Sequence, residues 1–244
     1  MEVLNDNILA PLIDMGTYPE FFAEVVIGGL MTGVMYSLVA LGFVLIFKAS
    51  GVFNFAQGVL ALFAALTLVG LMTGTVPVSL GTMGYTMSPF LAVPLTCVIM
   101  VGLAYLIERL VLRPLVNQEP IILFMSTIGL AFVLEGFGDI LWGSTVKPLD
   151  IGIPSGNFEW QGIQFQIFEI WAAVTAAILV TVLAIFFQKT RIGRALRAVA
   201  DDHQAALSVG VPLKNIWIIV WSVSGVVALV AGIMWGSKSG VQFS

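Results

Sequence analysis

Apolar residues run along this chain in six blocks, and most of the polar residues fall in the breaks between them. The blocks cover residues 21–47, 59–72, 89–107, 121–142, 168–187 and 216–236. An α-helix needs about 20 apolar residues to cross a hydrocarbon layer. The pattern therefore predicts an all-α fold: a polytopic membrane helical bundle with six spans. Residues 73–88 are rich in Gly, Thr and Ser and carry no charge, which reads as a loop. Pro94 marks a candidate kink in the third span, and Pro114 and Pro120 mark a short turn after it. Between the fourth and fifth blocks, Phe158 and Trp160 alternate with polar residues, as do Ile163, Phe165 and Ile167. Gln161 and Gly162 sit between them, so a small hairpin on the membrane surface is expected.

The second block is the irregular one. It is entered through Lys48-Ala-Ser-Gly-Val-Phe-Asn-Phe-Ala-Gln-Gly58, too polar for a lipid-facing helix centre. Asn54 and Gln57 are three apart and share a helix face. Polar or irregular backbone at membrane depth is tolerated only when buried in protein or lining a wet cavity. The second span is accordingly expected to be inward-packed or partly broken. Asn54 and Gln57 then either hydrogen-bond between helices or line a substrate path. In the fourth span Glu135 and Asp139 are four apart, in the last two turns before Trp142. Acids inside a span are costly and point to function; here they read either as interfacial groups or as the outer mouth of a path. Gly29 and Gly33 form a G-x-x-x-G in the first span, a spacing that lets helix backbones approach.

Composition agrees with the pattern: 59% of the 244 residues are hydrophobic and 10% charged. Cys97 is the single cysteine, so no internal disulfide is possible, and the single His203 has no partner for a metal site. No metal, cofactor or nucleic-acid partner is expected. The first twenty residues carry no Lys or Arg and so lack a signal peptide's basic start; residues 1–20 read as an extracytoplasmic segment. With the N-terminus outside, Lys48, Arg109, Arg113, Lys189, Arg191, Arg194, Arg197 and Lys214 fall on one side, and only Lys147 and Lys238 on the other. The positive-inside rule makes the first side cytoplasmic.

Residues 188–215 hold half of the basic residues. Read as a helix over 191–208, they place Ile192, Leu196, Val199 and Leu207 on one stripe, with His203 on it too. Arg191, Arg194 and Arg197 lie on or beside the opposite face. Asp201 and Asp202 interrupt the basic run, and Gly210 followed by Pro212 gives a sharp stop. Such a helix either lies on anionic lipid or docks on a protein.

Several ordered stretches decide between these. They are Gly33-Val-Met-Tyr-Ser-Leu-Val-Ala-Leu-Gly42, Gly51-Val-Phe-Asn-Phe-Ala-Gln-Gly58 and Glu108-Arg-x-x-x-Arg-Pro-Leu115. Glu135-Gly136, Leu141-Trp-Gly143, Arg194-Ala-Leu-Arg-Ala-Val-Ala-Asp201 and Gly210 follow. Together they cover nearly the whole chain from residue 21, and it resembles the permease subunits of branched-chain amino acid ABC importers. The resemblance implies one permease domain over 21–244 in the cell inner membrane, paired with a second, related permease. It implies two cytoplasmic ATP-binding subunits and a periplasmic substrate-binding protein. It makes 188–215 a coupling region for the ATPase, with Arg194, Arg197, Asp201, Asp202, His203 and Gly210 as candidate contacts. Members of the family run on for several more spans, so the sequence is expected to be incomplete at its C-terminus.

No G-x-x-x-x-G-K-[ST] phosphate loop is present, so ATP hydrolysis is expected from separate subunits. No H-E-x-x-H is present, and no Ser has a plausible His base, so a catalytic role is not expected. Substrate alternatives are urea or short amides, carried by similar permeases. A different class of reading is an ion-coupled secondary transporter using Glu135 and Asp139.

Overall fold

The computed structural model describes residues 16–51, 53–75, 86–115, 118–160, 163–201 and 213–242. Helix α1 covers Pro19–Ser50, α2 Gln57–Thr73 and α3 Pro89–Ile107. A π-helical turn, Glu108–Leu112, and a 3-10 turn, Arg113–Leu115, continue α3. Then come α4 (Pro120–Trp142), β1 (Asn157–Trp160), β2 (Ile163–Gln166), α5 (Ile167–Lys189), α6 (Arg191–Asp201) and α7 (Leu213–Ser239). The helix ends follow local chemistry. Pro19, Pro89 and Pro120 stand at the first helical position, where a missing N–H costs nothing. Gly51 and Gly74 close α1 and α2 in the left-handed conformation, with φ of 71° and 68°.

Among the described residues, five helices are long and apolar enough to cross a membrane: α1, α3 with its two turns, α4, α5 and α7 from Ile216. Helix α2 has 17 residues, about 25 Å of helix against a hydrocarbon layer of about 30 Å. The polar lead-in is non-helical at Gly51 and over 53–56, so the irregularity lies just before the second apolar block, which is itself one continuous helix. Pro94 lies inside α3 without interrupting it. The hairpin also forms, with Phe158 opposite Phe165 and Trp160 opposite Ile163 in an antiparallel pair.

Helix α7 is the hub. Of its most apolar 18 residues 67% are buried, against 17–28% in the other four long helices. It packs on α1, α2 and α3. Three glycines admit those neighbours. A Cβ on Gly225 would stand 3.3 Å from the Met100 carbonyl oxygen of α3. One on Gly232 would overlap the Ala61 carbonyl of α2, and one on Gly236 would press on Val241 and Leu149. The close-packing G-x-x-x-G within this chain is therefore Gly232 to Gly236. Gly29 and Gly33, expected to serve that purpose, face open space: a Cβ on either would have nothing within 4 Å.

The bundle sorts the basic residues by end. Ile46 and Ser50 of α1, Leu112 of the π turn, Leu123 of α4 and Trp217 of α7 surround one small cavity, so those helix ends meet. Lys48 and Arg197 line another cavity beside it. At this end Arg113 grips Glu108 with two N–H groups, at 3.3 and 2.8 Å, while Glu108 is 1% exposed. A two-pronged, charge-assisted pair holds the π turn in register. At the far end Lys238 pairs with Glu169 at 3.1 Å. There the Lys147 and Val241 backbones exchange hydrogen bonds of 2.8 and 2.9 Å.

Gly232→Val should lower the thermal midpoint of the purified chain in detergent by the equivalent of about 1–3 kcal/mol, the usual range for overpacking. Gly29→Ala should leave that midpoint unchanged; equal losses in the two variants would contradict the assigned packing faces.

Candidate functional site

The lead-in to α2 brings two sequence-predicted residues into one buried cluster. Asn54 and Gln57 are both fully buried. Asn54 Oδ1 accepts the Ala56 N–H at 3.1 Å, and its carbonyl accepts the Gln57 N–H at 3.2 Å. This Asn-centred turn replaces the helical bonds that the break removes. Asn54 Nδ2 then donates to Gln57 Oε1 at 3.3 Å.

Helix α7 completes the set. Ser224 Oγ donates to Gln57 Oε1 at 2.8 Å, and Gln57 Nε2 reaches the Ser224 carbonyl at 3.4 Å. Ser224 Oγ also lies 3.3 Å from the Gly42 carbonyl of α1. A hydroxyl has one proton, and the shorter contact to Gln57 takes it. Gly42 is required here for space: a Cβ at that position would run into the Gln57 side-chain amide. From α4, Thr127 Oγ1 accepts the Phe55 N–H at 3.3 Å and stands 3.2 Å from the Phe53 carbonyl and 2.8 Å from that of Phe124. Residues of α4 and α7 thus bond the backbone and amides of this segment, and Gly42 of α1 leaves the room for them. The cluster has no titratable group and no nucleophile placed against a base. What it can do is hold the break shut or, if the helices separate, present amide groups.

The other candidates stand apart. Glu135 is half-buried and Asp139 exposed, both further along α4 than Thr127 by about two to three turns. Among the described residues neither makes a hydrogen bond or ion pair through its side chain to the amide cluster. The described part of the basic stretch is α6, the start of the helix read over 191–208. Leu196 and Val199 are buried, and Ile192, expected on the same stripe, is 38% exposed. Arg191, Arg194 and Arg197 all face outward. Asp201 is the last residue of α6. Asp202, His203 and Gly210 lie outside the described residues, as does Leu207.

The corner leading into α6 was not read from the sequence. Thr190 ends α5 and caps α6: its Oγ1 donates to the Phe186 carbonyl at 2.7 Å and accepts the Gly193 N–H at 2.9 Å. Gly193 permits the tight turn, since a Cβ there would strike the Phe187 backbone. A Thr three residues before a Gly, between an apolar run and a basic one, was the available signal. Ser224, Gly42 and Thr127 carried none, because single small polar residues in apolar runs are common.

The family model described as branched-chain amino acid transport system / permease component matches residues 25–244. The chain is 28% identical over 240 residues to the high-affinity branched-chain amino acid transport system permease protein LivH of Escherichia coli (strain K12), covering 91% of this chain and 72% of that protein. It is 27% identical over 237 residues to the high-affinity branched-chain amino acid transport system permease protein BraD of Pseudomonas aeruginosa, covering 91% and 74%. A shorter match, 29% identical over 120 residues, joins 48% of this chain to 34% of the probable ABC transporter permease protein YphD of Escherichia coli (strain K12). No solved structure matches.

Ser224→Ala and Gln57→Leu should each destabilise the chain by about 1–3 kcal/mol, the cost of orphaning a buried polar partner. The double variant should cost less than the two losses combined. Strict additivity in a double-mutant cycle, read by unfolding in detergent, would show that the two groups do not interact.

Proposed function

Because the chain belongs to the family of branched-chain amino acid transport system permease components, we propose that it forms part of the pathway of an ATP-driven importer of branched-chain amino acids. It is a multi-pass protein of the cell inner membrane. The observation that carries the proposal is the family match over residues 25–244, which takes in every described helix from α2 to α7 and most of α1.

The helices cross six times, α2 making its crossing with the help of the irregular lead-in, and the N-terminus lies outside. Residues 21–244 act as a single permease domain. The gathering of Lys48, Arg113 and α6 at one end of the bundle supports a cytoplasmic setting for that end, by the positive-inside rule. There the region 188–215 meets an ATP-binding subunit, through the outward Arg194 and through Asp201, Asp202 and His203. The partners are a second, related permease, two ATP-binding subunits and a periplasmic binding protein that delivers substrate.

The chain contributes movement and no covalent chemistry. Closure of the ATP-binding subunits displaces α6. The Thr190 corner passes that displacement to α5, and the segment ahead of α7 passes it to the hub. Rocking of α7 against α1 and α2 loads the Gln57–Ser224 contact and lets Asn54 and Gln57 face a passing zwitterion with an apolar side chain. Glu135 and Asp139 stand near the outer mouth.

The test is uptake of radiolabelled leucine into proteoliposomes holding the assembled transporter and its binding protein. Uptake should require ATP and survive collapse of the proton gradient. Gradient-driven uptake without ATP would favour an ion-coupled mechanism, and uptake of urea but not leucine would overturn the substrate. Gly210→Val should cut uptake about tenfold while ATP hydrolysis persists, because a β-branched residue would resist the left-handed cap that the Gly210 and Pro212 pattern predicts. Wild-type uptake in that variant would remove Gly210 from the coupling role. With Cys97 replaced by Ala, Lys147→Cys should react with a membrane-impermeant thiol reagent added outside, and Lys48→Cys should not. The reverse pattern would invert the topology.

A further inference from the structure

A cavity of about 910 Å³ opens between the C-terminal halves of α1 and α5 and the side of α6 that carries Leu196, Arg197 and Val199. Its chemistry changes along its length. Leu41, Val44, Val180 and Ala184 form an apolar wall on the two long helices. Lys48 and Arg197 stand at the end nearer α6. Both cations are exposed, and among the described residues neither forms an ion pair. Leu45 and Leu183 form the floor and belong, with Val227 of α7, to a small buried cluster of their own.

We propose that this cavity holds one anionic glycerophospholipid, its acyl chain along the α1–α5 wall and its phosphate between Lys48 and Arg197. The apolar part lies on helices long enough to cross the membrane, where acyl chains are the surrounding solvent. The two cations lie close to the ends that those helices reach. Lys48 is in the last turn of α1, and Arg197 is on α6, which starts two residues after α5 ends. A headgroup phosphate sits at that depth, and cations near the membrane surface draw anionic lipid to them. An apolar cleft of several hundred Å³ with a few convergent charges is the usual form of a small-molecule site. A soluble phosphate would leave the apolar wall unused, and an acidic protein segment would have to enter between two membrane helices. Lipid in this cleft would wedge α6 against α1 and so set how freely the coupling region moves. The assignment to the cytoplasmic leaflet rests on the topology proposed above; the lipid site itself does not.

Native mass spectrometry of the assembled transporter, released from membranes into mild detergent, tests this directly. The wild-type complex should retain one more phosphatidylglycerol than a complex carrying K48A and R197A. After exchange into neutral phosphatidylcholine that extra lipid should be lost, and titration with phosphatidylglycerol should restore it. Ala184→Phe, at an exposed helix position and leaving both cations in place, should lower retention about tenfold by filling the apolar wall. Equal retention in the wild type and in both variants overturns the proposal. So does retention of phosphatidylcholine as strong as that of phosphatidylglycerol, or cross-linking of Lys48 and Arg197 to an ATP-binding subunit that leaves no lipid bound. Lipid counting in detergent is indifferent to which side is cytoplasmic, so a failed topology leaves this result readable.

Discussion

A helix that breaks within a packed membrane bundle leaves backbone groups that something else must bond. In this chain it stops at Ser50 and resumes at Gln57, and the intervening backbone has to be satisfied from the side. Asn54 supplies one turn, Thr127 reaches across from α4, and Gln57 ties the start of α2 to Ser224 of α7. The remaining architecture follows from this requirement. Most of α2 is enclosed, with the Asn54 and Gln57 amides turned inward, and α7 must run close to it, because Ser224 is the partner of Gln57. Gly42 must lack a side chain, because the Gln57 amide fills that space.

Enclosure of α2 explains how the small residues of α7 are arranged. Without a strong hydrophobic preference between helix and lipid, helices in a membrane associate through close van der Waals contact and shared hydrogen bonds. Gly225 admits α3, while Gly232 and Gly236 admit α2 and the strand-like end at Val241. The hub is thus shaped by absences of side chain as much as by the apolar residues between them.

The six blocks, the break before the second, the hairpin and the sorting of basic residues were all legible in the sequence. They depend on composition over many residues or on alternation over several, and both average out local noise. Asn54 and Gln57 were legible as a pair because two amides three apart are conspicuous in an apolar run. Their partner Ser224 was not, since it is 167 positions away from Gln57 and looks like any other serine in a span. The G-x-x-x-G at Gly29 and Gly33 meets no neighbour within this chain, for a related reason. Spacing shows that two glycines share a face, but which of two such faces meets a neighbour depends on the whole bundle. Thr190 and Gly193 were missed because they serve the junction of two helices, while periodicity describes one helix at a time. The last part of the predicted coupling helix, from Asp202 to Ser208, and the stop at Gly210 lie outside the described residues.

The amide cluster also has an electrical character. Asn54, Gln57, Ser224, Thr127 and Gly42 carry no formal charge between them. A membrane potential does work of about 2.3 kcal/mol per elementary charge per 100 mV, and on this cluster it has no net charge to act upon. The hydrogen bonds that tie Gln57 of α2 to Ser224 of α7 therefore contribute no gating charge of their own.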